Sequence, residues 1–216
     1  NSVHRDINDR EQWKEKGYAY MHSPQIRFKA KKGDLITNEQ LTDIGLKNDA
    51  LSFSADKEFQ PGGRSYALKY ADSFFQERLI NYNNHISKPA YSRYSCSRLS
   101  PYFAWGNLSI REIYQRAKRM KDEKQRIKGK KVGRDIAAFL SRLRWQSHFI
   151  QKFEQEPAME FRPVNKAYCD LWDYNDDHIK AWASGMTGYP LIDASMRCVK
   201  ATGYINFRMR ACLVSF

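Results

Sequence analysis

Apolar residues at Leu68, Ala71, Phe75, Leu79 and Tyr82 recur at steps of three and four. A stripe of that period buries one face only when the chain is helical. The segment from Arg64 to about Asn84 is therefore expected to be a helix. A second stripe, Ile136, Leu140, Leu143 and Ile150, predicts a longer helix from Arg134 to about Glu154. Its adjoining face carries Phe139, Arg142, Gln146 and Phe149 at the same spacing and is placed to line a cavity. Ser109-Ile-Arg-Glu112 has the form of a capping box and predicts a third helix, running through a basic stretch to about Lys128 until Gly129 and Gly133 interrupt it. Pro190 is expected to open another helix, since a proline in the first turn gives up no hydrogen bond. A last helix is expected from Tyr204. His85 to Tyr94, broken by Pro89, is expected to be loop. Alternation of apolar and polar residues persists nowhere beyond a few positions, so the expected fold class is all-α.

Gly17, Pro24, Gly33, Gly45 and Pro61 punctuate short polar segments, so residues 1–62 read as an irregular connector with short helical pieces and 63–216 as a helical domain. With 216 residues, 42% hydrophobic and 14% aromatic, the chain can bury one good core. No run approaches the roughly 18 apolar residues that a membrane helix needs, so no membrane partner is expected. Asn1 to Lys16 is polar and charged, unlike a signal peptide, and a chain that does not open on Met is expected to be a fragment. Cys96, Cys169, Cys198 and Cys212 show no Cys-x-x-Cys spacing. They read as reduced thiols in a cytoplasmic protein, with no metal site expected.

The net charge is +13 and it is concentrated. Between Ser109 and Asp135 eleven Lys/Arg stand against four Asp/Glu. Such a run is either a solvated helix face or a surface for a polyanion, whose condensed counterions are released on contact. Lys118, Arg119, Lys130 and Lys131 are the candidate contacts.

The stretch Tyr94 to Ser109 reads Tyr-Ser-Cys-Ser-Arg-Leu-Ser-Pro-Tyr-Phe-Ala-Trp-Gly-Asn-Leu-Ser. Ser97 and Ser100 flank an arginine just before Pro101. Short hydroxyls and free backbone N–H groups suit a loop that holds a phosphate, and equally a Ser-rich turn that opens a helix. The string Ser-Arg-Leu-Ser-Pro-Tyr, followed by Gly-Asn-Leu-Ser, resembles the flavin-diphosphate loop of the cryptochrome/photolyase family. Three further blocks resemble that family in the same order: Phe139-Leu-Ser-Arg-Leu-Arg-Trp145, Trp182 with Thr187-Gly-Tyr-Pro-Leu-Ile-Asp-Ala-Ser-Met-Arg197, and Thr202-Gly-Tyr-Ile-Asn-Phe-Arg-Met-Arg210. The resemblance runs from about Phe59 to Phe216.

The resemblance implies the multi-helical flavin-binding domain of that family, incomplete at its C-terminal side and without the N-terminal α/β domain. It implies FAD as cofactor, DNA as partner, and photoinduced electron transfer for lesion repair or light signalling; the parent enzyme resembles deoxyribodipyrimidine photolyase. Ser97, Leu99 and Ser100 would meet the diphosphate. Cys96 stands where the family usually has threonine, and a thiol donates weakly. Tyr82 matches a family tyrosine ahead of the loop. Phe139 and Trp145 would form an aromatic wall, the latter where a flipped-out pyrimidine dimer stacks. Arg142 replaces a glutamate that binds and protonates the lesion, which an arginine cannot do, and Gln146 replaces the usual arginine. With Arg210 aligned on the ring-side arginine, Phe207 falls where photolyases place asparagine against the flavin N5. Arg208 joins the DNA-contact candidates. Trp172, ten residues before Trp182, matches the spacing of the outermost electron-transfer tryptophan. The acidic residues and inner tryptophans of the family would lie beyond Phe216, so this chain alone is expected to bind FAD weakly and to be inactive by itself. The alternative is a basic helical DNA-binding module that holds no flavin.

Overall fold

A computed structural model describes residues 9–26, 29, 31, 33, 36–45, 58–170 and 174–216. The first helix, α1 (Arg10–His22), begins where the Asp9 carboxylate accepts the N–H groups of Glu11 and Gln12, and its Met21 is buried in the main core. The short α2 (Asn38–Asp43) carries a true capping box between Thr37 and Gln40. After Gly63, whose φ of 95° suits glycine, α3 (Arg64–Ser73) begins.

The helix expected to run unbroken to Asn84 is instead interrupted twice. Phe74–Arg78 forms a π-turn, in which the Leu79 N–H reaches back to the Phe74 carbonyl at 2.9 Å. Asn81 then takes a left-handed conformation, which asparagine tolerates better than most residues, and α4 (Tyr82–His85) follows. The stretch expected as loop holds a helix, α5 (Pro89–Ser95). Pro89 sits in its first turn, so the proline starts the helix where it was expected to break it. Next come α6 (Ser100–Ala104) and α7 (Ile110–Asp122). Ser109 has the extended backbone of a cap, but its side chain makes no cap bond. Glu112 is drawn away to Arg64, pairing through both carboxylate oxygens at 2.8 and 3.1 Å.

α7 stops short of Lys128, and the basic stretch folds into a hairpin, β1 (Arg126–Ile127) with β2 (Lys130–Lys131). Its register sets Arg126 opposite Lys131 and Ile127 opposite Lys130. Lys128 and Gly129 form the corner with φ of 48° and 76°, as a tight two-residue turn between antiparallel strands demands. The long α8 (Gly133–Gln155) follows, then two short 3₁₀ turns, Pro157–Glu160 and Lys166–Tyr168. The rest is α9 (Asp176–Ser184), α10 (Pro190–Thr202) and α11 (Phe207–Ser215). α11 starts later than Tyr204 because the Asn206 side chain caps it, accepting the Met209 N–H at 2.9 Å.

Helix dominates the described residues, and their only strand is the four-residue hairpin, so the fold is all-α. The main core gathers Phe74, Leu79, Leu99, Tyr102, Ile136 and Phe139, and each fully buried side chain of this size contributes on the order of 1.5–3 kcal/mol. A second core, Ile192, Met196, Ile205, Met209 and Leu213, is built from α10, α11 and the segment between them, with Trp182 of α9 packed against it. Asn206 stitches the two together by donating to the Ile86 carbonyl at 3.3 Å and to the Ser92 hydroxyl at 2.9 Å. Among the described residues no helix is long and apolar enough to cross a membrane.

Candidate functional site

The Cys96–Ser100 loop is held from beneath by one arginine. Arg78, at the end of the π-turn, donates to the carbonyls of Cys96, of Ser97 at 3.2 Å and of Tyr70 at 2.7 Å. Burial, and next the nearby Arg98, pull its guanidinium below the usual arginine value. Gln60 Nε2 donates to the Arg98 carbonyl at 2.7 Å. Leu99 is fully buried and anchors the turn, while its N–H meets the Ser97 hydroxyl at 3.4 Å. Ser97 is half-buried and Ser100 exposed. Arg98 takes a left-handed φ of 57° and lays its guanidinium over the Tyr204 ring at 4.9 Å. Cys96 is 6% exposed, and burial pushes its thiol up to about 11. The neutral thiol is a weak donor.

Two residues expected at a ligand face sit in the core. Phe139 is 2% exposed, its ring 4.8 Å from Phe74, 5.9 Å from Phe75 and 5.8 Å from Tyr82. One turn after Ile136 and one before Leu143, it shares their stripe, which is why it points inward and away from the adjoining face. Tyr82 is likewise buried, and burial raises its phenol above the usual tyrosine value.

The exposed strip lies where α8 meets α11. The Arg142 guanidinium stands 5.7 Å from the centre of the Trp145 ring system. Trp145 packs at 5.9 Å on Phe149, and Phe149 at 6.2 Å on Phe207. Arg210, one turn beyond Phe207, is exposed. Trp145 is 45% and Phe207 61% exposed, so the strip offers flat apolar area between two arginines. Phe149 joins it through a contact 58 residues away in sequence, which local spacing does not reveal. Trp145 also faces a groove of about 720 Å³ between α1 and α8, shared with Trp13, Tyr18, Arg144 and His148.

The cationic candidates are separated. Lys118 is tied to Asp122 at 2.7 Å. Arg119 is exposed beside Pro24, Gln25 and Gln115. Lys130 and Lys131 are exposed on the hairpin, and Arg208 is exposed with its nearest polar partner, the Ser87 hydroxyl, at 3.5 Å. Trp172 lies outside the described residues. In the turn before α10, the Asp193 carboxylate accepts from the Thr187 hydroxyl at 2.7 Å and the N–H groups of Thr187 at 2.8 Å and Gly188 at 3.0 Å. The Thr187 hydroxyl, above all, holds that carboxyl below the usual range. Among the described residues no group of His, Cys, Asp or Glu is placed to hold a metal ion.

Whether FAD suits these residues is decided by two buried polar atoms of opposite kind. Nε of Arg98 is a donor without a partner in the loop, and Oε1 of Gln146 is an acceptor without one on α8. A dinucleotide offers an anionic diphosphate to the first and a ring edge with N–H groups to the second, and the strip supplies a flat face. The residues fit the group.

Residues 139–216 match the family described as FAD binding domain of DNA photolyase. The chain is 34% identical over 158 residues to the deoxyribodipyrimidine photo-lyase of Neurospora crassa, covering 72% of this chain and 25% of that protein. It is 32% identical over 184 residues to cryptochrome-2 of Arabidopsis thaliana, covering 82% of this chain and 29% of the relative. A class III photolyase of Agrobacterium tumefaciens superposes with a TM-score of 0.63 at 25% identity, over 90% of this chain and 37% of that one. The chain thus spans well under half the length of these relatives. The motif order, the matched family and the shared helical architecture agree, and the chain belongs to the cryptochrome/photolyase family through its FAD-binding domain.

Proposed function

We propose that the protein is a light-driven flavoprotein that acts on DNA and transfers electrons without the proton supply of ordinary dimer repair. The observation that carries this reading is the strip Arg142–Trp145–Phe149–Phe207–Arg210. Bound FAD supplies the chromophore and the redox centre. Ser97, Ser100 and Arg98 would hold its diphosphate, and Gln146 Oε1 would accept a hydrogen bond from it. Trp145 gives an extruded base a stacking surface worth about 1–3 kcal/mol. The Neurospora relative is named for a deoxyribodipyrimidine substrate, which supports DNA as the partner here.

Arg142 sets the chemistry apart. A guanidinium is a permanent cation with several N–H donors; it can bind a phosphate or stabilise a developing anion, but it does not surrender a proton at usable pH. Phe207 neither gives nor takes one. The buried thiol of Cys96 and the inert Phe207 favour a second reading, a basic helical DNA-binding module without flavin, and the absorbance of the purified protein separates the two. The decisive test is a blue-light repair assay on the full protein and on Arg142→Glu. The wild type is expected to photoreduce its flavin but to repair cyclobutane dimers about 10²–10⁴-fold more slowly than the variant, the usual worth of a positioned acid. Wild-type repair as fast as that of Arg142→Glu would refute the proposal.

A further inference from the structure

We infer that the hairpin Arg126–Lys131 is a clamp for the sugar–phosphate backbone of duplex DNA, a contact surface apart from the aromatic strip. The inference rests on the reading of the protein as acting on DNA.

The hairpin breaks the rules of a strand pair made for stability. Its register sets Arg126 directly opposite Lys131, and like charges facing each other across strands destabilise the pairing. Among the described residues neither side chain makes an ion pair; the Arg126 guanidinium only donates to the Gly129 carbonyl at 3.3 Å. Two lysines, Lys124 and Lys128, take left-handed φ of 50° and 48°, a conformation that glycine or asparagine adopts with less strain. The turn accounts for the left-handed backbone at 128 but not for lysine in it, and residue choices that work against the local fold mark functional positions.

The hairpin is nevertheless held in place. Ile127 is buried in the main core, and Lys128 pairs with Glu77 of the π-turn at 2.9 Å. Its cations are thus presented on an anchored support. The charges of the basic stretch from Ser109 to Asp135, with their partners, divide into two sets. Arg64, Arg116, Lys118 and Lys128 are matched by Glu112, Asp72, Asp122 and Glu77. Of the other acids nearby, Asp135 accepts the Asn83 N–H at 2.8 Å and Glu123 is bonded to Gln125. Arg126, Lys130, Lys131, Lys121, Lys124 and Arg134 have no acidic partner among the described residues. A basic stretch whose own carboxylates are all engaged elsewhere suits a partner of dense, repeated negative charge. Duplex DNA, with one charge per about 1.7 Å of axis, is such a partner.

The test measures binding of the full chain to a short mixed-sequence duplex by fluorescence anisotropy, over about 50–200 mM KCl. The variants are the triple change Arg126→Gln, Lys130→Gln, Lys131→Gln, the single change Lys131→Gln and, matching the single change in charge, the control Lys200→Gln on α10. The triple variant should weaken binding and flatten the log–log salt slope by about 2–3, close to 0.9 for each lost phosphate contact, while the control keeps the wild-type slope. Should the triple variant lose helical circular dichroism, Lys131→Gln alone decides, with an expected change of about 0.9. Retained duplex binding with an unchanged slope in the hairpin variants overturns the clamp and leaves DNA as the partner. Failure of the wild type to bind duplex at about 50 mM salt overturns the DNA reading itself. Tighter wild-type binding to phosphatidylserine vesicles than to the duplex, lost in the triple variant, overturns the clamp in favour of a membrane surface.

Discussion

Replacing Phe139 tests most directly whether that ring serves the core or a ligand. It is 2% exposed and meets three aromatic rings, Phe74, Phe75 and Tyr82, within 5.9 Å. Truncation of a buried Phe to Ala typically costs 3–5 kcal/mol. The ring pairs each add about 0.5–1.5 kcal/mol beyond simple burial, which places Phe139→Ala near the top of that range, at about 4–5 kcal/mol. Against a total stability of about 5–15 kcal/mol, the variant should be partly unfolded at room temperature or melt about 8–20 °C lower. Phe139→Leu keeps most of the volume and loses the ring pairs, so a cost of about 1–2 kcal/mol is expected. Urea unfolding followed at 222 nm gives both values, and FAD titration of the Leu variant gives the second readout. A cost below about 2 kcal/mol for Phe139→Ala, or a Leu variant of nearly full stability that no longer holds FAD, would refute the core assignment and return Phe139 to the ligand wall.

Two further outcomes follow from the titrating groups. Because the folded pKa of Asp193 is lowered, its stabilising effect is fully present above the ordinary carboxylate value, about 3.9, and is lost as pH falls through the lower folded value. Melting of the wild type should therefore drop more steeply in acid than that of Asp193→Asn, and parallel curves would contradict it. Burial holds the Cys96 thiol neutral up to about pH 11, so iodoacetamide at mild alkaline pH should modify the half-exposed Cys169, Cys198 and Cys212 and spare Cys96; peptide mass spectrometry checks this, and labelling of Cys96 at the same rate would contradict it.

What the sequence disclosed was mostly what local periodicity encodes. The stripe Ile136–Leu140–Leu143 locates α8, and Pro190 the start of α10, because each signal acts within one or two helical turns. Pro89 was ambiguous by nature: the same residue breaks a helix interior and begins a first turn, and only its context on the core decides. Glu112 shows a stronger limit, since the capping geometry was available and a guanidinium 48 residues away took the carboxylate instead. The hairpin was hidden because lysines are weak strand formers; burial of Ile127, a tertiary event, fixes it. At the site, Arg142 and Trp145 share a face through their spacing of three, whereas Phe149 on Phe207 and Arg78 under the loop are products of the fold.

The π-turn carries an evolutionary consequence. Consecutive residues on it pull in different directions, Glu77 toward Lys128 of the hairpin and Arg78 toward the carbonyls of Cys96 and Ser97. A π-turn is an α-helix with one residue too many, and each residue turns a helix by about 100°. An in-frame loss of a single codon between Phe74 and Arg78 would let α3 run on as an ordinary helix and swing the positions beyond it around the axis by that angle. Both tethers would then be out of reach at once. The candidate phosphate loop and the basic hairpin would thus lose a polar tether in the same event, each left to its own apolar anchor, Leu99 and Ile127.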